Sequence, residues 1–280
     1  EIEYNPIANI VAIEARKRNI PSISMIHGIS AQRIVFANRA RLQFKYLLTS
    51  GAVAQEVQKV MPRVKNFVSV GNHEAKPSLL NKTTKKKVES RPDWLNQEPD
   101  LKVVGFYFAL INGFIDTSSV HGETEYIDDE KCRAHAIRYL KPLFDWVANR
   151  EDVIFVWKPK YSNTEANIEH PWIKPLIADI PKERIILRPS AEISEVIKYS
   201  DISVCQGASS VIAASMAMGV PAVTFDLLYG GWASKYHKLM SANSGKELCE
   251  NIDLILEGGL PKYVFNNFNL DWNGSSRIDF

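Results

Sequence analysis

Cysteine is scarce in this chain of 280 residues, and its positions match no ligand motif. Cys132, Cys205 and Cys249 are odd in number and widely separated, which argues against both a disulfide framework and a zinc site. Unpaired cysteines are typical of proteins from a reducing compartment. We therefore expect a cytoplasmic protein that holds no structural metal ion.

Long apolar runs and a strong net charge are also lacking. No stretch of about 18 apolar residues occurs, so the sequence predicts no membrane-spanning segment. The formal net charge is only +2, which gives no electrostatic reason to expect nucleic acid as a partner. The chain begins at Glu1 rather than at methionine, and no signal peptide precedes the first helical pattern. We expect that it starts inside an N-terminal domain, part of which is missing.

Several familiar enzyme motifs are absent as well. The sequence has no GxGxxG after a first strand, no Walker lysine loop, no HExxH and no GxSxG. It therefore gives no support to a dehydrogenase, an NTPase, a zinc hydrolase or an α/β hydrolase. We expect no cofactor and no metal ion at the functional site.

The first quarter of the chain alternates between helical and strand patterns. Residues 6–18 carry apolar residues at helical spacing, and residues 52–61 read as a second amphipathic helix. Short β-rich runs occupy 19–28, 44–51 and 65–72. This alternation predicts a mostly parallel sheet with helices on both faces.

Residues 76–100 interrupt the alternation. They contain three prolines and few apolar residues, which predicts an interdomain linker or a mobile loop. Lys82, Lys85, Lys86 and Lys87 form a small basic patch within it. The patch is either simply solvated or attracted to an anionic membrane surface, and in the second case the protein contacts the inner face of the membrane peripherally.

A second alternating region follows the linker. Apolar runs with little alternation predict strands that are buried on both faces. The predicted elements are strands in 101–110, 152–160 and 184–190, a polar loop over 113–128, helices over 129–149, 191–200 and 243–258, and a strand–helix–strand unit over 201–226.

These patterns predict an α/β protein with two Rossmann-like domains. We expect a partial N-terminal, acceptor-side domain over 1–75, the linker over 76–100, a C-terminal nucleotide-binding domain over 101–258 and a C-terminal tail over 259–280. In open parallel sheets, ligands bind at the carboxyl ends of the strands. The candidate site residues are therefore those that follow the predicted strands.

The strongest candidate is the turn inside DISVCQGASSVIAASMAMGVPAVTFD, residues 201–226. Gln206 and Gly207 end a predicted strand, and Ser209 and Ser210 stand where a helix should begin. Serine hydroxyls and the free backbone N–H groups of a first helical turn bind phosphate oxygens. Serines also cap helices that bind nothing, so a purely structural turn is the alternative.

Cations follow the two preceding strands. Lys158 and Lys160 flank Pro159 after an apolar run, and Arg188 ends the next run. Lysine binds phosphate as a point charge, whereas solvated lysines at a strand end would have no such role. The backbone over 188–192 is suited to hold the edge of a base. Glu192 is a candidate ligand or an ordinary carboxylate at a helix start.

His27 is the candidate catalytic residue. It ends the β-rich run PSISMI and precedes Gly28, so a bulky ligand can approach it. Imidazole titrates near neutrality and can deprotonate a hydroxyl or hold a leaving phosphate. A structural histidine is the alternative. Further candidates are His121, Glu123 and Asp226.

Four segments together resemble GT-B glycosyltransferases, closest to the capsule, lipopolysaccharide or teichoic-acid enzymes and their nucleotide-sugar 2-epimerase relatives. The longest, EISEVIKYSDISVCQGASSVIAASMAMGVPAVTFD, is similar to their nucleotide-binding half. NIPSISMIHG and FVSVGN are similar to strands of the N-terminal half, and VWKPK is similar to a strand end that often reads KPHP. The resemblance implies two Rossmann-like domains that face each other across a cleft.

The resemblance also implies an activity. It implies metal-independent transfer of a sugar from a CMP- or UDP-sugar to a surface-polysaccharide or lipid-linked acceptor. Lys158, Ser209 and Ser210 would hold the donor phosphate, and His27 would face the acceptor or the leaving group. Ala214 stands where many members have a donor-binding glutamate. The alternatives are a nucleotide-sugar 2-epimerase, a polyol-phosphate transferase and a non-catalytic binding or scaffold subunit.

Overall fold

A computed structural model describes part of the chain. The described residues are 6–25, 46–49, 66–69, 92–95, 100–108, 114–116, 125–127, 129–159, 171, 173–207, 209–225 and 232–273.

The N-terminal region contains a helix and a small parallel sheet. Helix α1 is Pro6–Lys17, and the strands are β1 (Ile23–Met25), β2 (Tyr46–Thr49) and β3 (Asn66–Ser69). The strands pair in the order β1-β2-β3, and both pairs are parallel. This confirms the helix and the three strands predicted in this region. The helix predicted over 52–61 lies outside the described residues.

The second region is built on a six-stranded sheet in which every pair is parallel. The six strands are β4 (Lys102–Tyr107), β7 (Val153–Trp157), β8 (Ile185–Leu187), β9 (Ile202–Gln206), β10 (Ala222–Phe225) and β11 (Ser241–Ala242). Strands β5 (Phe114–Asp116) and β6 (Glu125–Ile127) form a separate antiparallel pair. The strand order is β11-β10-β9-β4-β7-β8. The first strand of the sheet along the chain is therefore central, and the order reverses beside it, as in the doubly wound Rossmann fold.

Helices cover both faces of this sheet. They are α2 (Asp129–Ala148), α3 (Ile193–Tyr199), α4 (Ser210–Ala217), α5 (Gly245–Gly258) and α6 (Lys262–Asn273). On one face, α2 and α5 contribute Phe144 and Ile252 to a buried apolar cluster. On the other face, the cluster contains Val196 of α3, Met216 of α4 and Phe268 of α6. The predicted parallel sheet with helices on both faces is thus confirmed.

The composition of β7 explains why it lies inside. All five of its residues are buried, and alternate side chains enter opposite clusters. Trp157 lies 5.3 Å from Phe106 of the neighbouring strand, ring centroid to ring centroid. Burying side chains of this size contributes about 1.5–3 kcal/mol each, so the sheet is fixed by both of its faces.

Two segments differ from expectation. Residues 113–128, expected to form a polar loop, include the paired strands β5 and β6 because the β-formers Phe114 and Ile127 stand opposite each other. Residues 259–280, expected to form a tail, include α6, which packs against α4. The helical spacing of its buried face, with Val264 and Phe268 fully buried, is obscured in the sequence by the intervening asparagines.

Across the described ranges, no helix combines the length and apolar character that crossing a membrane requires.

Candidate functional site

The predicted site residues of the second region follow the carboxyl ends of neighbouring parallel strands. Ladder hydrogen bonds continue one residue beyond three strand ends and fix those residues at this edge. Each donor is a backbone N–H and each acceptor a carbonyl: Lys158 to Phe106 (2.9 Å), Arg188 to Trp157 (2.9 Å) and Gly207 to Phe225 (2.8 Å).

The turn after β9 lies where the strand order reverses. Strands β4 and β9 are neighbours, and the chain winds away from this pair in opposite directions on its two sides. Such a reversal leaves a crevice at the carboxyl edge of the sheet, because the connections on either side turn to opposite faces. Gly207 and Ser209, which follow β9, therefore lie beside the position of that crevice.

Neighbouring backbone holds the turn in a tight conformation. Gly207 has a φ of +61°, which glycine adopts without the strain that a side chain would bring. Its carbonyl oxygen accepts a hydrogen bond from Thr224 Oγ1 at 2.8 Å and another from the N–H of Ser209 at 3.0 Å. The path of the backbone into α4 is thus set before any ligand is present.

Ser209 is the N-cap of α4, as the sequence predicted. Its backbone is extended (φ −86°, ψ 141°), and its Oγ accepts a hydrogen bond from the N–H of Val211 at 3.3 Å. Ser209 and Ser210 are half-buried, whereas every residue from 211 to 218 is buried. Ser215 in the helix also donates to Ser203 of β9, Oγ to Oγ at 2.8 Å. The helix is therefore a rigid element whose first turn reaches the edge of the sheet.

Lys158 is buried, which contradicts the alternative of a solvated lysine at this one position. The residue is 8% exposed, and Nζ donates to the carbonyl oxygens of Pro159 (2.8 Å) and Pro189 (3.0 Å). Burial lowers the pKa of this ammonium group, and the carboxylate of Glu192 opposes the shift. The ammonium has three N–H donors, of which these carbonyls take two.

Arg188 is held by two residues. Its Nη2 donates to Glu195 Oε1 at 3.2 Å, and its Cζ lies 4.6 Å from the centroid of the Trp94 ring. Among the described residues, its buried Nε atom has no hydrogen-bond partner. Sequence reasoning missed Trp94, which lies in the expected linker. The signal was a tryptophan next to a leucine, Leu95, inside a segment with few apolar residues.

The remaining candidates have mixed outcomes. Gln206 ends β9 and is half-buried, and Glu192 precedes α3 with an exposed side chain. Ala214, at the position where the resemblance expects glutamate, is buried in α4. Predictions for a further five residues lie outside the described residues: His27, Lys160, His121, Glu123 and Asp226.

The described edge thus combines a helix N-terminus, a buried cation and a glycine turn. Hydroxyl and backbone N–H donors bind anions at a helix start, and the helix dipole adds about 0.3–1 kcal/mol of attraction. Within the described ranges, no group of three His, Cys, Asp or Glu side chains is arranged to hold a metal ion. The chemistry that this edge supports is the binding of a phosphate or a similar anion.

No protein-family model matches this sequence, and no curated protein sequence matches it either. Solved structures do match. S. aureus MnaA, in a structure with UDP, superposes with a TM-score of 0.54 at 9% identity, over 95% of this chain and 66% of that chain. Sucrose-phosphate synthase from Thermosynechococcus elongatus also has a TM-score of 0.54, at 10% identity, over 95% of this chain and 68% of that one.

A third match is α,α-trehalose 6-phosphate synthase from Burkholderia multivorans, with a TM-score of 0.50 at 10% identity, over 92% of this chain and 63% of that one. The chain thus spans about two thirds of the length of these proteins. The similarity defines the fold, which is α/β with Rossmann-like parallel sheets of the GT-B type.

Proposed function

We propose that the chain is a glycosyltransferase that moves a sugar from a nucleotide-activated donor, a UDP- or CMP-sugar, to a surface-polysaccharide or lipid-linked acceptor. The observation that carries the proposal is the Ser209-capped start of α4 at the point where the strand order reverses. Lys158 follows another strand of the same edge. The GT-B-type fold supports the proposal, and the UDP present in the MnaA structure makes UDP the first nucleotide to test.

The donor phosphates would lie against the first turn of α4. The hydroxyls of Ser209 and Ser210 would donate to phosphate oxygens, and the N-terminal end of the helix dipole would attract their negative charge. Lys158 would add a positive charge, and its burial strengthens that interaction because the local dielectric is low. Gly207, which has no side chain, would allow the phosphate to approach the backbone of the turn.

In the transfer step, an acceptor hydroxyl attacks the anomeric carbon of the donor sugar. A new carbon–oxygen bond forms, and the bond from the anomeric carbon to the phosphate oxygen breaks, so the nucleotide leaves with the electron pair. His27 would take the proton of the acceptor. The helix N-terminus and Lys158 would stabilise the negative charge on the departing phosphate without a metal ion.

A second candidate function is nucleotide or sugar binding without catalysis. The observation that favours it is Ala214, which fills a core position with a methyl group where a donor-binding glutamate was expected. Under this hypothesis the phosphate site is retained and turnover is lost.

A nucleotide screen tests the proposal. The melting temperature of the full chain is followed while UDP, CMP, CDP and GDP are titrated separately, because a ligand that binds the native state stabilises it by RT ln(1 + [L]/Kd). We expect UDP or CMP to raise the midpoint. The absence of a shift with both UDP and CMP would overturn the proposal.

Turnover distinguishes the two candidate functions. The chain is incubated with the sugar conjugate of the nucleotide that binds, and release of the nucleotide is measured. We expect release that depends on acceptor glycan and that His27→Ala abolishes while the nucleotide-induced melting shift is kept. Binding without turnover in the unmodified chain would favour the non-catalytic function.

A further inference from the structure

Among the described residues of the second region, two clusters combine a tryptophan, an arginine and a carboxylate. In the first, Trp94 Nε1 donates to Glu195 Oε1 at 2.9 Å, Arg188 donates to the same oxygen at 3.2 Å, and the guanidinium lies over the indole ring. We call this set the rim cluster: Trp94, Arg188 and Glu195. All three groups share one contact network, so a change in one alters the other two.

The rim cluster lies at the carboxyl edge of the sheet. Arg188 is the first residue after β8, and Glu195 is in the first turn of α3. Trp94 comes from the segment that leads into β4, and it also makes an edge contact with Tyr199, ring centroids 6.0 Å apart. Its neighbour Leu95 is fully buried. The segment before the sheet is therefore fastened to the turn that follows β8.

This turn carries a direct contact to the candidate phosphate site. Pro189, next to Arg188, accepts a hydrogen bond from Lys158 Nζ at 3.0 Å. The position of the Lys158 ammonium thus depends on the position of the Pro189 carbonyl. Arg188, whose side chain contacts Trp94 and Glu195, directly precedes the proline that carries this carbonyl.

We propose that Trp94 is a positioning residue for the anion site. It holds Glu195 and Arg188, these fix the 188–192 turn, and the turn places the ammonium of Lys158. Trp94 itself does not touch the anion. The inference rests on the proposed function, because it concerns how tightly that site holds the diphosphate of a nucleotide.

The second cluster is a matched control at the other edge of the sheet. Trp146 Nε1 donates to Asp253 Oδ2 at 3.1 Å, Arg150 donates to the same carboxylate, and Arg150 Cζ lies 5.1 Å from the Trp146 ring centroid. Arg150 precedes the start of β7 by only a few residues. The chemistry is that of the rim cluster, but the location is the amino edge.

The test compares Trp94→Phe with Trp146→Phe in the full chain. Each substitution keeps an aromatic ring and removes one indole hydrogen bond to a carboxylate. Binding of UDP is measured by titration calorimetry, and thermal unfolding is measured without ligand. We expect Trp94→Phe to raise the Kd for UDP about fivefold, which is the scale of one hydrogen bond, and Trp146→Phe to leave it unchanged. Both should lower the unliganded melting temperature by similar amounts.

Glu195→Gln is the second variant, in case Trp94→Phe folds poorly. It keeps the shape of the side chain and an acceptor for the indole, but it removes the charge opposite Arg188, so we again expect a higher Kd for UDP. Equal Kd values in the chain with and without these two substitutions would overturn the positioning role alone. Failure of the unmodified chain to bind UDP or CMP would overturn the proposed function and this inference with it.

Discussion

The ammonium of Lys158 bridges two turns, from its own strand end to the carbonyl of Pro189 after the next strand. A charged group this deeply buried loses hydration, which lowers its pKa in the folded protein relative to the unfolded chain. Between the folded and unfolded pKa values, the unfolded chain binds more protons at this position. The free energy of unfolding should therefore rise with pH in that range.

Comparison with Lys158→Met isolates this effect. Other lysines and tyrosines titrate at the same pH, but they contribute equally to both proteins. We expect the unfolding free energy of the unmodified chain, measured with urea, to increase relative to the variant as the pH rises toward about 10.4, the ordinary lysine pKa. A difference that is constant from neutral to alkaline pH would show that Lys158 is not desolvated.

The serine at the start of α4 can be tested against a second serine cap. Ser244 is the N-cap of α5, where its Oγ accepts from the N–H of Glu247 at 3.1 Å. Ser209→Ala and Ser244→Ala should each cost about 0.5–2 kcal/mol of stability, because each removes a cap. Only Ser209→Ala should also reduce the stabilisation by UDP.

Ser244 is a suitable control because the start of its helix packs closely against α2 at Gly245, away from the proposed anion site. Melting curves with and without UDP give both quantities for both variants. If both variants lose the same amount of stabilisation by UDP, the nucleotide does not bind specifically at the start of α4.

Gly245 permits the close crossing of α2 and α5. A Cβ atom at this position would lie 2.5 Å from the carbonyl oxygen of Arg138 and 2.7 Å from Pro142 Cγ. We expect Gly245→Ala to destabilise the protein by about 1–3 kcal/mol, although alanine favours helices, because overpacking against backbone cannot be relieved by rotation.

Gly258, at the other end of α5, is the control for that substitution. A Cβ there meets nothing within 4 Å. Gly258→Ala should be neutral or stabilising by up to about 1 kcal/mol. Urea unfolding of both variants checks the pair, and equal effects would contradict the crossing geometry.

The space beside Gly105 in β4 is limited by a side chain and not by backbone atoms. A Cβ at this position would lie 2.5 Å from Ser200 Oγ. Gly105→Ala should therefore destabilise the protein, and Ser200→Ala should relieve part of that cost. A double-mutant cycle by urea unfolding should give a coupling of at least about 0.5 kcal/mol, since the two positions are in contact. Additive effects would contradict the predicted clash.

Much of this architecture could be predicted from local patterns. The strands β4, β7 and β9 are apolar runs bounded by polar residues, so burial on both faces follows from composition. The N-cap at Ser209 could be predicted from the sequence because capping depends on a few adjacent residues. These features require no knowledge of distant contacts.

Other features depend on contacts between residues far apart in the chain. The burial of Lys158 depends on Pro189, and the docking of Trp94 depends on Glu195, about a hundred positions later. Helix α6 is stabilised by packing on α4, where Asn269 donates to the Met216 carbonyl at 3.1 Å. No local pattern encodes such pairs.

The burial of α4 determines what kind of receptor this edge forms. Its body is part of the core, so the amides from 211 to 218 should exchange with solvent only when the whole domain opens. The half-buried hydroxyls of Ser209 and Ser210 at its start are consequently in place before a ligand arrives, and an incoming anion loses little free energy to ordering the protein. Affinity at this edge would then respond to changes in the surrounding turns, while the helix itself stays constant.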